Sequence, residues 1–241
     1  MILLIDAGNT RIKWRVIPAP GEARIDEGVC VHDGIAQLQT AFDTHPGLQR
    51  VLGTNVAGAV TANRIAALAR PHGLVPEWLT PVAECCGVHN HYEDPSRLGA
   101  DRWAALIGAR RMHPHACLVV TAGTATTVDL LDAGGGFQGG LILPGMDLML
   151  RALSTHTAQL PLAAGRYRPT PRCTADAIHS GCLLAQVGAV EHMFRQIAAD
   201  AHALCLLGGG AADPLAELLD LPLRRVDNLV LLGLETIAHI H

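Results

Sequence analysis

Within eight residues near the start of the chain lie a carboxylate, a flexible turn, a hydroxyl and an ammonium: Asp6, Gly8, Asn9, Thr10 and Lys13. Together these groups suit phosphate. Gly8 takes positive φ without steric cost, and Asn9 tolerates it better than most residues. A tight turn of this kind aims backbone N–H groups outward, and Thr10 and Lys13 add side-chain donors for phosphate oxygens. Asp6 can hold the magnesium that travels with a nucleotide, because Mg²⁺ keeps most of its waters and needs only one or two carboxylates.

The elements that must present this turn are two strands. Residues 2–5 form a short apolar run of the kind buried on both faces, and residues 12–16 alternate like a second strand. Half a chain later the plan returns. Residues 118–129 again read as apolar strand, Ala-Gly, hydroxyl-rich turn and second strand, with Ala122-Gly123 aligned on Ala7-Gly8 and Thr121 on Asp6. A duplicated strand-turn-strand facing its copy would grip the two ends of a triphosphate. A third glycine feature, Gly208-Gly209-Gly210, ends a strand before a helix and would let a flat group such as adenine lie close to the backbone.

Bulk properties narrow the function classes. At 241 residues the chain accommodates two domains of ordinary size, and the echo argues for two, with residues 1–114 in the first and 115–241 in the second. Aromatic residues are only 3% of the chain, which disfavours base stacking as a mode of action. The net charge is −4 and no run of Lys or Arg exceeds two, so nucleic acid and anionic membranes are poor partners. No signal-peptide pattern and no bilayer-length apolar run is present, and a cytoplasmic protein is expected. The seven cysteines are odd in number, contain no Cys-x-x-Cys and sit largely in apolar runs, as reduced thiols do. Cys85-Cys86 with His89 and His91 resembles a metal knuckle, but vicinal cysteines do not easily point at one ion and no second pair completes a tetrahedron.

Along the chain, a third strand over 24–31 precedes a helix over 35–42, a strand over 50–56, a helix over 61–69 capped by Thr61, and a strand over 74–79. Residues 85–97 are polar and aperiodic, which predicts a surface loop, the usual place for substrate contacts. A helix over 98–110 follows, and Asp101 in its first turn would complement the helix dipole whatever else it does. In the second half a glycine-rich turn over 134–140 leads to a strand over 141–143 and a helix over 146–153. A long helix spans 174–199, a strand 205–211, and two helices close the chain at 214–219 and 230–240. The order calls for mixed sheets with helices on their faces, an α/β fold.

Several short motifs recur here in the order found in type III pantothenate kinases. They are Asp6-Ala-Gly-Asn-Thr10 with Lys13, Gly99-Ala-Asp-Arg102, Gly123-Thr-Ala-Thr126, Gly139-Gly-x-Ile-x-Pro-Gly145 and Thr174-x-x-Ala177. The chain is particularly similar to members described as Bvg accessory factors, in which His156-Thr-Ala-Gln-Leu-Pro161 and Ser180-Gly-Cys182 also find counterparts. The resemblance implies a duplicated actin-like, ribonuclease-H-like fold with mixed five-stranded sheets flanked by helices, a homodimer, and ATP-dependent phosphorylation of pantothenate at the start of coenzyme A synthesis. Carried over by position, Asp6, Ala7, Gly8, Asn9, Thr10, Arg11, Ile12 and Lys13 resemble the phosphate and magnesium site, with Thr124 as a further ATP contact. Tyr92, Gly99, Ala100, Asp101 and Arg102 resemble the pantothenate site, and Thr174 resembles another substrate contact. Asp101 resembles the catalytic base, a carboxylate that orients the attacking hydroxyl and takes its proton. Arg102 beside it could pair with the substrate carboxylate.

Thr121 departs from the family pattern. Many members carry Asp there, at what resembles a ligand for the potassium or ammonium ion these kinases use, and a neutral ligand does less to concentrate a cation. A weaker or altered monovalent-cation requirement is therefore expected. Cys173, where the family often has Asn, is a second departure. Two rivals stay open: a sugar or acetate kinase of the same fold, and a nucleotide-binding regulatory protein without catalysis. The apolar positions of the 174 and 103 helices exceed what one small sheet covers, which marks them as the expected dimer seam.

Overall fold

The computed structural model describes residues 1–18, 26–156 and 165–240. The chain divides into two compact units, residues 1–112 with 229–241, and residues 113–228.

In the first unit, β1 (Ile2–Ala7), β2 (Arg11–Ile17) and β3 (Asp26–Val31) form an antiparallel meander, followed by α1 (Ala36–Thr44), β4 (Arg50–Asn55), α2 (Ala59–Ala69) and β5 (Pro76–Trp78). The sheet order is β3-β2-β1-β4-β5, with β4 and β5 parallel to β1. The period of two sorts the side chains of β1 and β2. Leu3, Ile5, Ile12, Trp14 and Val16 pack with Leu38, Phe42 and Ile65 of α1 and α2. Leu4, Asp6, Lys13 and Arg15 belong to the opposite face.

Thr61 is not a helix cap. It lies inside α2, buried, with its hydroxyl 3.3 Å from His32 Nδ1, and Gly58 caps the helix instead. The stretch expected to be a loop over 85–97 begins as a small hairpin, β6 (Glu84–Cys85) and β7 (Val88–Asn90). Cys86 and Gly87 form its two-residue turn, both with positive φ, 54° and 72°. This is the primed-turn geometry that matches strand twist.

Helix α3 (Ala100–Met112) is buried over most of its length, with Trp103, Leu106 and Ile107 fully enclosed. Its cover is the last helix of the chain, α7 (Leu229–Ala238), which packs on α3 and on β1. The two helices cross at glycines: a Cβ on Gly233 would lie 1.8 Å from the Ala104 carbonyl oxygen, and one on Gly108 would lie 2.3 Å from the Leu229 carbonyl oxygen. Glu235 of α7 accepts from Arg15 of β2 and pairs with Arg111 of α3. The sequence expectation put the whole C-terminal stretch in the second domain. The packing returns residues 229–241 to the first unit, because α3 and the Leu4 face of the sheet need an apolar cover that α1 and α2, on the other face, do not supply.

The second unit repeats the topology. β8 (Cys117–Ala122), β9 (Ala125–Leu131) and β10 (Gly136–Pro144) form a meander. They are followed by α4 (Met146–His156), α5 (Thr174–Phe194), β11 (Leu204–Gly208), α6 (Asp213–Ala216) and β12 (Leu223–Arg225). β11 lies parallel to β8 and β12 parallel to β11. The order β10-β9-β8-β11-β12 is the first unit's order element for element. Of the glycine-rich stretch expected as a turn, Gly134 and Gly135 do form one, while from Gly136 on it is the start of β10, with a bulge between Phe137 and Gly139 where φ reaches 115°. Leu118, Val120, Leu183, Val187, Val190, Cys205 and Leu207 form the core between sheet and α5.

Candidate active site

The β1–β2 turn is held from within. Gly8 N–H donates to the Arg11 carbonyl at 3.1 Å, and the Gly8 carbonyl lies 2.9 Å from His32 Nε2. Asn9, Thr10 and Arg11 are exposed on this rim. Ala7 and Ile12 are buried, so only their backbone is available to a ligand.

Asp6 is paired with Lys13 across β1–β2 and with Thr54 across β1–β4. The Thr54 hydroxyl, fully buried, donates to Asp6 Oδ1 at 3.0 Å. Burial pushes the Asp6 carboxyl up to about 6; the Thr54 hydrogen bond opposes the rise, the charge of Asp101 adds to it, and Lys13 opposes it. Asp101 is therefore close enough for its charge to reach Asp6. The cause is visible in the elements: Asp6 lies on the sheet face that α3 packs against, and Asp101 opens α3. Sequence reasoning missed Thr54. The signal was present in the polar end of the strand over residues 50–56, but reading it required knowing that β4 lies parallel to β1 in this register.

A Cβ on Gly99 would lie 2.7 Å from Asp101 Oδ1, so a larger residue would displace that carboxylate from its present position, in which it accepts the Arg102 N–H at 2.8 Å. The Arg102 guanidinium is buried and turns away toward Tyr92, donating to its hydroxyl at 2.9 Å and lying 5.7 Å from its ring centroid. Tyr92 in turn lines a cavity of about 470 Å³ with Glu93, Asp94 and Arg97. The loop carrying Tyr92 is pinned by Asn90, whose side chain accepts from Tyr92 N–H and donates to the Pro95 carbonyl. Asp101, Arg102 and Tyr92 thus form one connected group, of which Tyr92 lines the cavity. Ala100, half-buried, contributes the first backbone turn of α3.

In the second unit the echoing turn is gripped by backbone. Gly123 N–H donates to the Ala125 carbonyl, Gly145 N–H to the Thr124 carbonyl at 2.9 Å, and Ala211 N–H to the Ala122 carbonyl at 3.1 Å. Thr124 is exposed at the tip, and half-buried Thr121 pairs with Thr127 and Gly208. Gly209, in the triplet that suggested an adenine platform, lies against Ala122: a Cβ there would meet its carbonyl oxygen at 2.1 Å. Close approach of chain to chain is thus one reason for that glycine. Also unforeseen, Thr126 donates to Gln186 Oε1 of α5 at 2.7 Å, a fully buried bond between the turn strand and the helix that begins at Thr174. Thr174 is exposed at the first turn of α5. Residues 157–161 of the His156 motif lie outside the described residues.

The family model for type III pantothenate kinase matches residues 2–196. The chain belongs to the type III pantothenate kinase family. Curated members of this family include proteins from Aromatoleum aromaticum, 63% identical over 99% of this chain and 98% of the relative, and from Azoarcus sp., 52% identical over 99% and 90%. One from Dechloromonas aromatica is 44% identical over 99% of both chains. Among solved structures, a Baf family transcriptional activator from Campylobacter jejuni aligns with TM-score 0.61 and 20% identity over 99% of this chain and 98% of its own. A 2-dehydro-3-deoxygalactonokinase protein from Sinorhizobium meliloti aligns with TM-score 0.60 and 14% identity over 100% and 99%. At such identities these two show the fold alone. It is the actin-like kinase fold, and the repeated sheet order is its duplication.

Proposed function

We infer that this pantothenate kinase family member transfers the γ-phosphoryl group of ATP to the hydroxyl of pantothenate, giving 4′-phosphopantothenate at the entry to coenzyme A synthesis. The observation that carries the reading is the full-length relationship to pantothenate kinases, joined to the proximity of Asp6 and Asp101 in the first unit.

Phosphoryl transfer asks for positioning and charge neutralisation rather than covalent chemistry by the protein. The rim of residues 6–13 supplies backbone N–H groups, the Thr10 hydroxyl and the Lys13 ammonium to phosphate oxygens. Thr124 is a further ATP contact. Asp6 fits a divalent cation: two carboxylates repel one another in a partly buried setting, and one Asp6 oxygen is already held by Thr54. When bound, Mg²⁺ supplies positive charge against the phosphates. Asp101 orients the pantothenate hydroxyl and accepts its proton. Tyr92, Gly99, Ala100 and Arg102 shape the acceptor site, with Arg102 bound to Tyr92 and thereby fixed rather than freely swinging, and Thr174 adds a substrate contact. Thr121 offers only neutral oxygen to a monovalent cation, so activation by K⁺ or NH₄⁺ is weak or altered.

The chain acts as a homodimer, and a face of α5 left uncovered among the described residues supports this. Leu184 is 44% exposed, and Gly181, Ala185 and Met149 line an apolar groove of about 420 Å³ between α4 and α5. The Trp103 helix, also expected at the seam, is covered by α7 within its own unit. The protein works in the cytoplasm, a setting consistent with seven free cysteines. Among the described residues no helix is long and apolar enough to cross a membrane. ATP consumption measured across pantothenate, sugars and acetate tests the substrate assignment. Turnover with pantothenate alone is expected, turnover with a sugar instead would overturn the assignment, and ATP binding without any acceptor would favour a regulatory protein.

A further inference from the structure

Cys85 and Cys86 were unpromising as a metal knuckle because vicinal side chains ordinarily diverge. In the structure they do not: the two sulfurs lie 3.4 Å apart, in hydrogen-bond contact. The turn brings this about. Cys86 sits in the left-handed region at φ 54°, a conformation uncommon for a residue other than Gly, Asn or Asp, and it does so in an otherwise ordinary two-residue hairpin turn with Gly87. Both thiols are half-exposed, whereas Cys30, Cys117, Cys182 and Cys205 are buried.

The separation discriminates among thiol chemistries. A direct disulfide requires sulfurs at about 2.05 Å and Cα atoms usually more than about 4.4 Å apart, but adjacent Cα atoms are fixed near 3.8 Å. One atom bridging the two sulfurs needs no such closure. With thiolate bonds of about 2.3 Å, a 3.4 Å span subtends about 95° at the bridging atom. That is narrower than the angle of about 109° that tetrahedral zinc takes, and it matches a trivalent, pyramidal centre whose bonds lie near right angles. Zinc would also need further ligands, and among the described residues no group of three or more His, Cys, Asp or Glu could hold a metal. A trivalent centre already carrying one carbon substituent needs only two sulfurs.

We propose that the Cys85–Cys86 hairpin is a dithiol site for monosubstituted trivalent arsenicals. The condensation balances without a redox partner. Two S–H bonds and the bonds from arsenic to its oxygen break, two As–S bonds form, both thiol protons leave in water, and arsenic stays trivalent. Partial burial first, then the hydrogen bond and proximity of Cys85, push the Cys86 thiol up to about 12. Cys86 therefore keeps its proton at neutral pH, which slows its oxidation by peroxide, a reaction of thiolates.

The test is titration of the intact chain with phenylarsine oxide in the presence of a competing monothiol, read by intact mass and by counting reactive thiols. One adduct per chain is expected, with a mass gain of one phenylarsenic group less two hydrogens and the loss of two thiols. Cys85→Ser and Cys86→Gly, the latter suited to the turn's positive φ, should each weaken binding at least 100-fold, and Cys173→Ser should leave it unchanged. Retention of the adduct in the Cys85→Ser, Cys86→Gly double variant would overturn the proposal. So would one arsenical per cysteine, or zinc binding at the hairpin as tightly as the arsenical.

Discussion

Asp6 carries the sharpest consequence of any single side chain. Its folded carboxyl titrates at about 6, against 3.8 for an aspartate free in water, so the fold prefers the neutral acid. Below pH 3.8 both folded and unfolded forms are protonated and nothing is lost; as pH rises through 6 the folded state comes to bear an unfavourable charge. A difference of this size corresponds to roughly 2–3 kcal/mol at neutral pH. Asp6→Asn should therefore raise the melting temperature at pH 7.5, with the gain vanishing below pH 4, while phosphoryl transfer is lost. Thermal unfolding at several pH values checks the first part, and an unchanged or lowered melting temperature at pH 7.5 would refute it. Asp101→Asn separates the second carboxylate's role: turnover should fall by several orders of magnitude while ATP binding, measured by calorimetry, persists. At Thr121, a steep saturable activation by K⁺ would argue against the expected weakness of the cation site, and Thr121→Asp should strengthen that activation.

Elements explain why some of this was legible in the sequence and some was not. The β1–β2 and β8–β9 hairpins could be read because alternation, Ala-Gly and hydroxyl-rich turns are local signals, and both strands begin or end within a residue or two of their expected positions. Thr54 and Gln186 could not be read, since each acts through a partner 48 or 60 residues away whose register no local pattern encodes. The β6–β7 hairpin was hidden because its turn puts a cysteine where Asn-Gly would have announced it. The glycines of β10 read as a turn because glycine is a poor strand former, yet a bulge and packing override that preference. Two changes test these elements. Gln186→Leu removes the acceptor for the buried Thr126 hydroxyl and should cost about 1–3 kcal/mol in stability. It should also raise KM for ATP more than KM for pantothenate if the turn strand is what it steadies, and equal changes in both would count against that. Cys173 at the N-cap of α5 makes no capping hydrogen bond to the helix backbone, its thiol being engaged with the Asp176 carboxylate, so Cys173→Asn, which adds a capping oxygen, should stabilise by about 0.5–1 kcal/mol in denaturant unfolding.

For the whole molecule, the decisive piece is α7. Its seat on α3 leaves no space for a side chain where Gly233 meets the Ala104 carbonyl, and Gly233→Val should force the helices apart. Because α3 presents Asp101 and Arg102, that change should lower kcat as well as stability, whereas Ile240→Ala on the exposed end of the same chain should alter neither. The Arg15 and Arg111 contacts of Glu235 are partly exposed and contribute modestly beside this packing.

The return of the last helix also fixes an order of events during synthesis. Domains usually mature on the ribosome from the N-terminus onward. Here the earlier sheet lacks the cover for its Leu4 face until residues 229–241 follow the whole of 113–228. A released chain truncated after residue 228 should accordingly resist protease in the later segment and be cut in the earlier one, with residues 1–112 protected only in the chain that carries the final turns.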